Sequence, residues 1–179
     1  MRAPRARAVF LDRDGTLIED QDYPRDPERV RLLPRVTEAL ARLQEAGFHL
    51  VAVSNQSGIG RGVVTEDEAR AVHERFIRVL AEEGMSLQAV KYCPHTPSDG
   101  CDCRKPAPGL LLAAAEELGL DLPGSFMIGD KRSDVEAGRR AGCRTILFAP
   151  QGMADDRADH VSRSWDDALE FILSAGAVA

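Results

Sequence analysis

The sequence lacks any long apolar run. No segment of it is long enough to cross a bilayer as a helix. Residues 1–7 contain three arginines, but a short strand-like run follows them instead of the apolar core and cleavage site of a signal peptide. We therefore expect a cytoplasmic protein that does not bind membranes.

An excess of positive charge is also absent. The 23 basic and 29 acidic residues give a net charge of −6. This balance does not favour general binding to nucleic acid or to an anionic membrane surface, so a small substrate is expected. A linker rich in proline or serine is missing too, and residues 1–179 are predicted to form one domain. No long apolar stripe is evident, which favours a monomer.

Cysteine is scarce, and three of the four cysteines stand close together. Cys93, Cys101 and Cys103 are too few and too clustered for the disulfide framework of a secreted protein, and Cys143 stands apart as a small packed residue. With His95 they offer three thiolates and one imidazole, enough for a closed tetrahedral Zn²⁺ site. Such a zinc would be structural, because no position stays open for a substrate. The alternative is a loop with four incidental residues, since the spacing differs from common zinc-finger patterns.

What the sequence does contain is an alternation of short apolar runs with amphipathic segments. The apolar runs predict strands at residues 9–11, 48–53, 89–92, 125–128 and 145–148. The amphipathic segments predict helices over 34–47, from a Thr65–Glu68 cap to Gly84, over 110–118, from Ser133 and Asp134 to Gly142, and after a Ser164–Asp167 cap. This alternation predicts an α/β, Rossmann-like fold, in which helices cover both faces of a parallel sheet.

Two aspartates, Asp12 and Asp14, follow the first predicted strand directly. Residues two apart on an extended chain point the same way, so the two carboxylates could share one site. Close carboxylates repel each other unless a cation or a proton lies between them. A strand that ends in a solvated acidic turn is the alternative.

Polar side chains follow other predicted strands as well. Residues 54–62 combine hydroxyls, amides and three glycines, a composition that lets N–H groups approach an anion closely. Lys105 stands near the start of a predicted helix, and Asp130 follows the fourth strand. The alternatives are a flexible turn, a surface lysine and an acid at a helix N-terminus. Because ligands bind outside the carboxyl ends of the strands in such sheets, we expect these groups to meet at one edge.

The order of these groups resembles the motifs of the haloacid dehalogenase-like phosphatases. The motifs are the acidic pair, Ser54, Lys105 and the Gly-Asp pair ending at Asp130. The resemblance covers residues 9–148. It implies that Asp12 attacks phosphorus and forms an aspartyl-phosphate, while Asp14 protonates the leaving alkoxide and then takes a proton from water. Ser54 and Lys105 would hold the phosphoryl oxygens.

The resemblance also implies a Mg²⁺ ion at the acidic end of the site. Asp12 and Asp130 would bind this ion together with the substrate phosphate, and the main-chain carbonyl of Asp14 would be a further ligand. Lys131 and Asp134 would support the ligands at this acidic end of the site.

The segment over residues 17–33 is polar and irregular, and it is too short to form a cap domain. We therefore expect an enzyme without a cap domain. Short loops, including this flap and the zinc-binding loop, would then select the substrate.

Five short strings narrow the resemblance within the family. Similar strings occur in the D-glycero-D-manno-heptose 1,7-bisphosphate 7-phosphatases, and here they span residues 12–16, 54–58, 93–95, 101–106 and 129–131. The likeness implies removal of the C7 phosphate from a phosphorylated sugar, with Arg104 aiding recognition. It places the substrate contacts at Asp20, Gln21, Asp22, Tyr23, Ser54, Asn55, Gln56, Ser57, Arg104, Lys105 and Lys131.

Two other functions stay open at this point. Histidinol-phosphate phosphatases share the aspartates and the cysteine loop, and the short spacing between His95 and Cys101 is closer to theirs. Residues 56–62 and the lysine at Lys131 favour the heptose enzymes. The other function is binding of a phosphosugar without catalysis. A protein of that kind would have lost a catalytic aspartate or the lysine, and none of these is missing here.

Overall fold

Within residues 5–176, the part of the chain described by the computed structural model, a six-stranded sheet forms the centre of the fold. Its strands are β1 (Ala8–Leu11), β2 (His49–Asn55), β3 (Ala89–Cys93), β4 (Phe126–Gly129), β5 (Arg144–Phe148) and β6 (His160–Ser162). Their order across the sheet is β3-β2-β1-β4-β5-β6, and all neighbouring strands are parallel. The predicted α/β fold with a parallel sheet is confirmed.

Helices follow most of the strands. They are α1 (Val36–Glu45), α2 (Ser57–Gly60), α3 (Glu66–Glu82), α4 (Gly109–Leu118), α5 (Arg132–Ala141) and α6 (Trp165–Gly176). The predicted capping box of α3 is present, since the Thr65 hydroxyl accepts a hydrogen bond from the Glu68 N–H at 3.2 Å. The start predicted for α1 at Pro34 is wrong by two residues. Arg35 has φ 70, a left-handed conformation that a right-handed helix cannot include.

Two short elements were not predicted. The helix α2 has four residues, two of them glycine, and glycine disfavours a helix interior. The strand β6 has three residues at the edge of the sheet, too few to show the alternation typical of a strand. The helix α2 contacts a distant segment through a hydrogen bond from the Gly60 N–H to the Pro94 carbonyl, whereas β6 pairs with the preceding strand β5.

Alternate residues of the buried strands pack on opposite faces of the sheet. Leu11 lies in a core cluster with residues of α1, α3 and α6, whereas its neighbour Phe10 lies in a second cluster with residues of α4 and α5. All four residues of β1 are fully buried. Helices therefore cover both faces, which explains why the sequence shows β1 as an unbroken apolar run.

The strand order places the end of β1 between the ends of β2 and β4. From β1 the strand order runs through β2 to β3 on one side and from β4 to β6 on the other. The carboxyl end of β1 is therefore the topological switch point, where ligands bind in such sheets. The loops that carry the predicted site residues all begin there.

Residues 1–4 and 177–179 lie outside the described residues. The predicted domain over residues 1–179 includes both ranges, and the arginine-containing N-terminal segment includes the first. Across residues 5–176, the helices are all too short or too polar to span a bilayer.

The only tryptophan of the chain ties the last helix to the loop after β1. Trp165 is 2% exposed, and its indole N–H donates a hydrogen bond to the Thr16 carbonyl at 3.1 Å. Its ring packs against Phe148, with 5.5 Å between the ring centroids. The loop that carries the two aspartates is thus anchored from a helix about 150 residues away in sequence.

We expect the substitution Trp165→Phe to lower the free energy of unfolding by about 2 kcal/mol, because a buried carbonyl loses its donor and the smaller ring packs less well. Urea denaturation followed by circular dichroism measures this change. The control is Leu112→Ala at a side chain that is 44% exposed, where a change below about 0.5 kcal/mol is expected. Equal midpoints for wild type and Trp165→Phe would contradict the anchoring role.

Candidate active site

A buried lysine lies at the centre of the site. The Lys105 ammonium donates hydrogen bonds to Asp12 Oδ1 at 2.5 Å and to the Val53 carbonyl at 2.7 Å, and it lies 2.7 Å from Asp134 Oδ1. An ammonium has three donors, so these three acceptors use all of them. Burial opposes the charge, but the carboxylates of Asp12 and Asp134 outweigh it and raise the pKa of Lys105. Lys105 is therefore a fixed cation.

Three carboxylates lie close together here, and Lys105 pairs with two of them, Asp12 and Asp134. One oxygen from each of Asp12, Asp130 and Asp134 lies within 4.8 Å of the others. Burial raises the pKa of Asp12 well above its usual range, Lys105 opposes this shift, and Asp134 adds to it. Burial likewise raises the pKa of Asp130. The Lys131 ammonium lies 3.8 Å from Asp130 Oδ2, so three carboxylates face two ammonium groups and one carboxylate exceeds the positive charge beside the cluster.

The same cluster has a buried oxygen without a partner. Asp130 Oδ1 is inaccessible to solvent and accepts no hydrogen bond from any described residue. Both oxygens of Asp134 are occupied, one by Lys105 and the other by the Lys131 N–H at 2.9 Å. Surplus charge and an unpartnered oxygen fit a cation, and Asp12 and Asp130 are the better candidates for direct ligands.

Asp14 is held by a different set of donors. The Arg13 guanidinium donates to both of its carboxylate oxygens at 3.1 Å, and the Gln56 amide donates to Oδ2 at 2.8 Å. The Gln56 amide also donates to the Ser54 hydroxyl at 2.6 Å. The carboxylate of Asp14 is not part of the three-carboxylate cluster. The two aspartates of the first motif therefore have separate surroundings.

Arg13 was not predicted as a site residue. In the sequence it stands as a spacer between two aspartates, yet it is only 4% exposed and pairs with its neighbour Asp14. A buried arginine is rare unless it is paired, but burial at this position could not be inferred from the sequence.

A cleft of about 510 Å³ opens above these groups. Among the predicted substrate contacts, those that line it are Asp20, Gln21, Asp22, Tyr23, Asn55, Gln56, Ser57, Arg104, Lys105 and Lys131. Ser54 lies in an adjoining smaller cavity together with Asp12 and Asp134. The wall also contains residues that were not predicted, namely Pro24, Gly58, Ile59, Val64, Pro97, Pro106 and Ser133. These residues carry no charge, and although several of them stand within segments that the sequence singled out, no individual role was predicted for them.

The flap over residues 17–33 forms one side of the cleft. Its two ends are joined by a main-chain hydrogen bond of 2.9 Å from Leu33 to Leu17. At its tip, Asp20 lies 3.3 Å from the Lys131 ammonium across the cleft. Tyr23 has φ 51, an uncommon conformation for a residue other than glycine, and its ring covers Gly58.

The cysteine loop forms a second cluster of potential metal ligands. The ligand atoms of Cys93, His95, Cys101 and Cys103 all lie within 4.8 Å of one another, and the cysteines are free thiols. Three sulfurs and one imidazole nitrogen fit a closed tetrahedral site. Cys143 lies elsewhere, in the core cluster beside α4 and α5, where burial raises its thiol pKa to about 12.

An acidic pair after β1, a hydroxyl after β2, a buried lysine and an acidic loop after β4 define the class of the protein as a haloacid dehalogenase (HAD)-like hydrolase. The HAD-hydrolase-like family model matches residues 102–168.

Named relatives narrow this class. The D-glycero-beta-D-manno-heptose-1,7-bisphosphate 7-phosphatase of Escherichia coli K12 is 38% identical over 177 residues, which cover 92% of this chain and 93% of the relative. The enzyme of the same name from Pseudomonas aeruginosa is 41% identical over 140 residues, or 78% and 79% of the two chains. The chain belongs to the family of HAD-like phosphatases formed by these enzymes.

A solved structure agrees with this assignment. The D,D-heptose 1,7-bisphosphate phosphatase of B. bronchiseptica, in a complex with magnesium and phosphate, matches with a TM-score of 0.83 at 33% identity. The match covers 94% of this chain and 98% of the other. The protein is a phosphatase.

We expect Gly15→Ala to lower kcat/KM by about 100-fold, because a displacement of about 1 Å near the chemistry can cost this much. Gly15 has φ 84, and a Cβ there would lie 2.5 Å from Asp130 Oδ2. The matched control is Gly142→Ala, which has φ 86 and no described atom within 4 Å of the new Cβ. Both variants bear the strain of a left-handed alanine, so only the first should lose activity. Equal activity in the two would contradict this interpretation.

Proposed function

We propose that the protein removes the C7 phosphate of D-glycero-D-manno-heptose 1,7-bisphosphate through an aspartyl-phosphate intermediate. The observation that carries the proposal is the buried Asp12 carboxylate, held by Lys105 at the base of a cleft of about 510 Å³. A cleft of this volume suits a small substrate. The names of the relatives in the same family support the choice of a heptose bisphosphate.

Asp12 would be the nucleophile. A phosphate monoester resists attack because its own charge repels nucleophiles, so positioning and charge neutralisation supply most of the catalysis. The hydrogen bond from Lys105 fixes the Asp12 carboxylate. Ser54 would hold a phosphoryl oxygen beside it, and Lys105 would hold another by exchanging one of its three present acceptors for the substrate. Attack of an Asp12 oxygen on phosphorus forms the aspartyl-phosphate and releases the C7 alkoxide.

Asp14 would transfer the proton. It would protonate the leaving C7 oxygen and then take a proton from the water that hydrolyses the aspartyl-phosphate. The bonds from Arg13 and Gln56 fix the orientation of its carboxylate at the wall of the cleft. A fixed orientation serves both steps, since the leaving oxygen and the water approach phosphorus from the same side.

The three-carboxylate cluster would hold Mg²⁺. Oxygen ligands are those that Mg²⁺ prefers, and Asp12, Asp130 and the main-chain carbonyl of Asp14 would supply them. When bound, Mg²⁺ neutralises negative charge on the phosphate and the carboxylates. The unpartnered Asp130 oxygen and the surplus charge of the cluster support this assignment.

Arg104 and Lys131 would recognise the rest of the substrate. Both line the cleft, Arg104 from the cysteine loop and Lys131 from the loop after β4. We also propose a monomer built as one domain over residues 1–179, because the sequence contains no linker and no long apolar stripe. Free thiols in the cysteine loop favour a reducing compartment, so we also infer a cytoplasmic location.

The comparison that tests the substrate uses kcat/KM for three compounds with Mg²⁺ present. They are the two anomers of D-glycero-D-manno-heptose 1,7-bisphosphate and histidinol phosphate. We expect at least one heptose anomer to exceed histidinol phosphate by about tenfold or more, with heptose 1-phosphate as the product. A higher value for histidinol phosphate would overturn the substrate assignment, and the short spacing between His95 and Cys101 would then be the feature that indicated it.

The variant Asp12→Asn controls this comparison. It preserves shape but removes the nucleophile, and we expect at least about a thousandfold loss of turnover. Removal of divalent cations with a chelator should also abolish phosphate release, and added Mg²⁺ should restore it. Turnover by Asp12→Asn at the wild-type rate would show that another group attacks phosphorus.

The cysteine loop would hold a structural Zn²⁺. Four protein ligands close the coordination sphere, and a bound ion would order a loop that contains little regular structure. Arg104 and Lys105 follow Cys103 directly, so the ion would also restrict the position of both cationic residues.

We expect purified protein to contain about one zinc per chain, as a closed four-ligand site requires. Cys103→Ser should lose most of the zinc and lower the unfolding temperature. Cys143→Ser is the control, because its thiol lies outside the cluster and its zinc content should stay at the wild-type level. Elemental analysis after gel filtration in metal-free buffer measures both. Zinc-free wild-type protein of full activity would refute the zinc site.

A further inference from the structure

Asn55 is the only asparagine of the chain, and its side chain is bound to the main chain of Lys105. The amide Nδ2 donates to the Lys105 carbonyl at 2.9 Å. The Lys105 N–H donates to the amide Oδ1 at 3.0 Å. The side chain thus pairs with both main-chain groups of Lys105, as a neighbouring strand would.

Lys105 needs such a partner because it lies in a turn between β3 and α4, outside any helix or strand. Two main-chain hydrogen bonds span Lys105 in this turn, from the Ala107 N–H to the Arg104 carbonyl and from the Gly109 N–H to the Asp102 carbonyl. Neither of them uses the main-chain groups of Lys105 itself. The lysine has a long side chain with several rotatable bonds, so the position of its ammonium depends on the position of its backbone.

The requirement on that ammonium is strict. It bonds Asp12, Asp134 and the Val53 carbonyl at 2.5 to 2.7 Å while the residue is almost fully buried. A small shift of the backbone would break these bonds and leave buried carboxylates without a partner.

We propose that Asn55 is a positioning residue for the phosphatase reaction, and that it acts by holding the backbone of Lys105 in place. The resemblance to the heptose phosphatases predicted that Asn55 contacts the substrate. The structure gives its side chain a different task, because both amide atoms are already engaged with Lys105. Asn55 follows Ser54 at the end of β2, so the strand that supplies the hydroxyl also fixes the lysine.

The inference rests on the proposed function in one respect: Lys105 must act on the reacting group through Asp12 or the phosphoryl oxygens. It does not depend on which sugar carries the phosphate. Wild-type protein without phosphatase turnover would therefore refute the proposed function, whereas the variants below test the role of Asn55 in an active enzyme.

The test is a double-mutant cycle of Asn55→Ala and Lys105→Met, with phosphate release measured at enzyme excess. We expect Asn55→Ala alone to lower kcat/KM by about 10- to 100-fold, as is typical when a residue that orients a functional group is lost. In the Lys105→Met background the same substitution should change kcat/KM by less than about threefold, because the group it positions is gone. A direct contact with substrate predicts an undiminished effect in both backgrounds, and that result would overturn the proposal.

A crystal structure of Asn55→Ala gives a second measurement, which decides the matter if the Lys105→Met background turns over too slowly. We expect the Lys105 ammonium to move away from Asp12. An unmoved lysine in a variant of reduced activity would overturn the proposal. Asn55→Ser, which keeps a short polar side chain, replaces Asn55→Ala in both measurements if the alanine variant does not fold.

The control is Gln44→Ala. The Gln44 side-chain amide also donates to a main-chain carbonyl, that of Ser86 at 3.2 Å, but it does so at an exposed site outside the cleft. Wild-type activity is expected for this variant. A loss equal to that of Asn55→Ala would show that the effect is a general one of losing such a bond, and it would overturn the specific role of Asn55.

Discussion

The burial of one ammonium among carboxylates is the constraint on which the rest of the site depends. Lys105 cannot lose its proton easily, because Asp12 and Asp134 lie against it, and its displacement would remove the cation that pairs with both carboxylates. This fixed cation sets the position of the Asp12 carboxylate. It also leaves the acidic cluster with surplus negative charge, and the cluster can therefore accept a further cation.

A single edge of the sheet brings these charges together. The strand β1 is buried on both faces and lies between β2 and β4, so the two aspartates emerge where the loops from both neighbours converge. Regular strands supply precise positions, whereas the turn that carries Lys105 has little regular structure of its own. That turn is held by the Asn55 amide, and it follows the cysteine loop directly in sequence.

Much of this arrangement could be predicted from sequence, because it depends on local patterns. Buried strands, helix caps and short motifs predicted the α/β fold and placed Asp12 and Lys105 near each other. What could not be predicted depends on contacts between distant residues. The pairing of Asn55 with Lys105 joins residues 50 apart, and the burial of Arg13 depends on the elements packed around it. The strand β6 is too short to carry a periodic pattern.

Across residues 5–176 the described elements include no cap domain, and this has a consequence for how such an enzyme can diverge. The proposed catalytic groups lie at the edge of the sheet, while much of the cleft wall comes from a flap, a short helix and the cysteine loop. Substitutions, insertions or deletions in those three segments would alter which alcohol group fits without disturbing the strands. Related enzymes could thus acquire new substrates by exchanging a few loop residues, and selectivity would evolve separately from catalytic power.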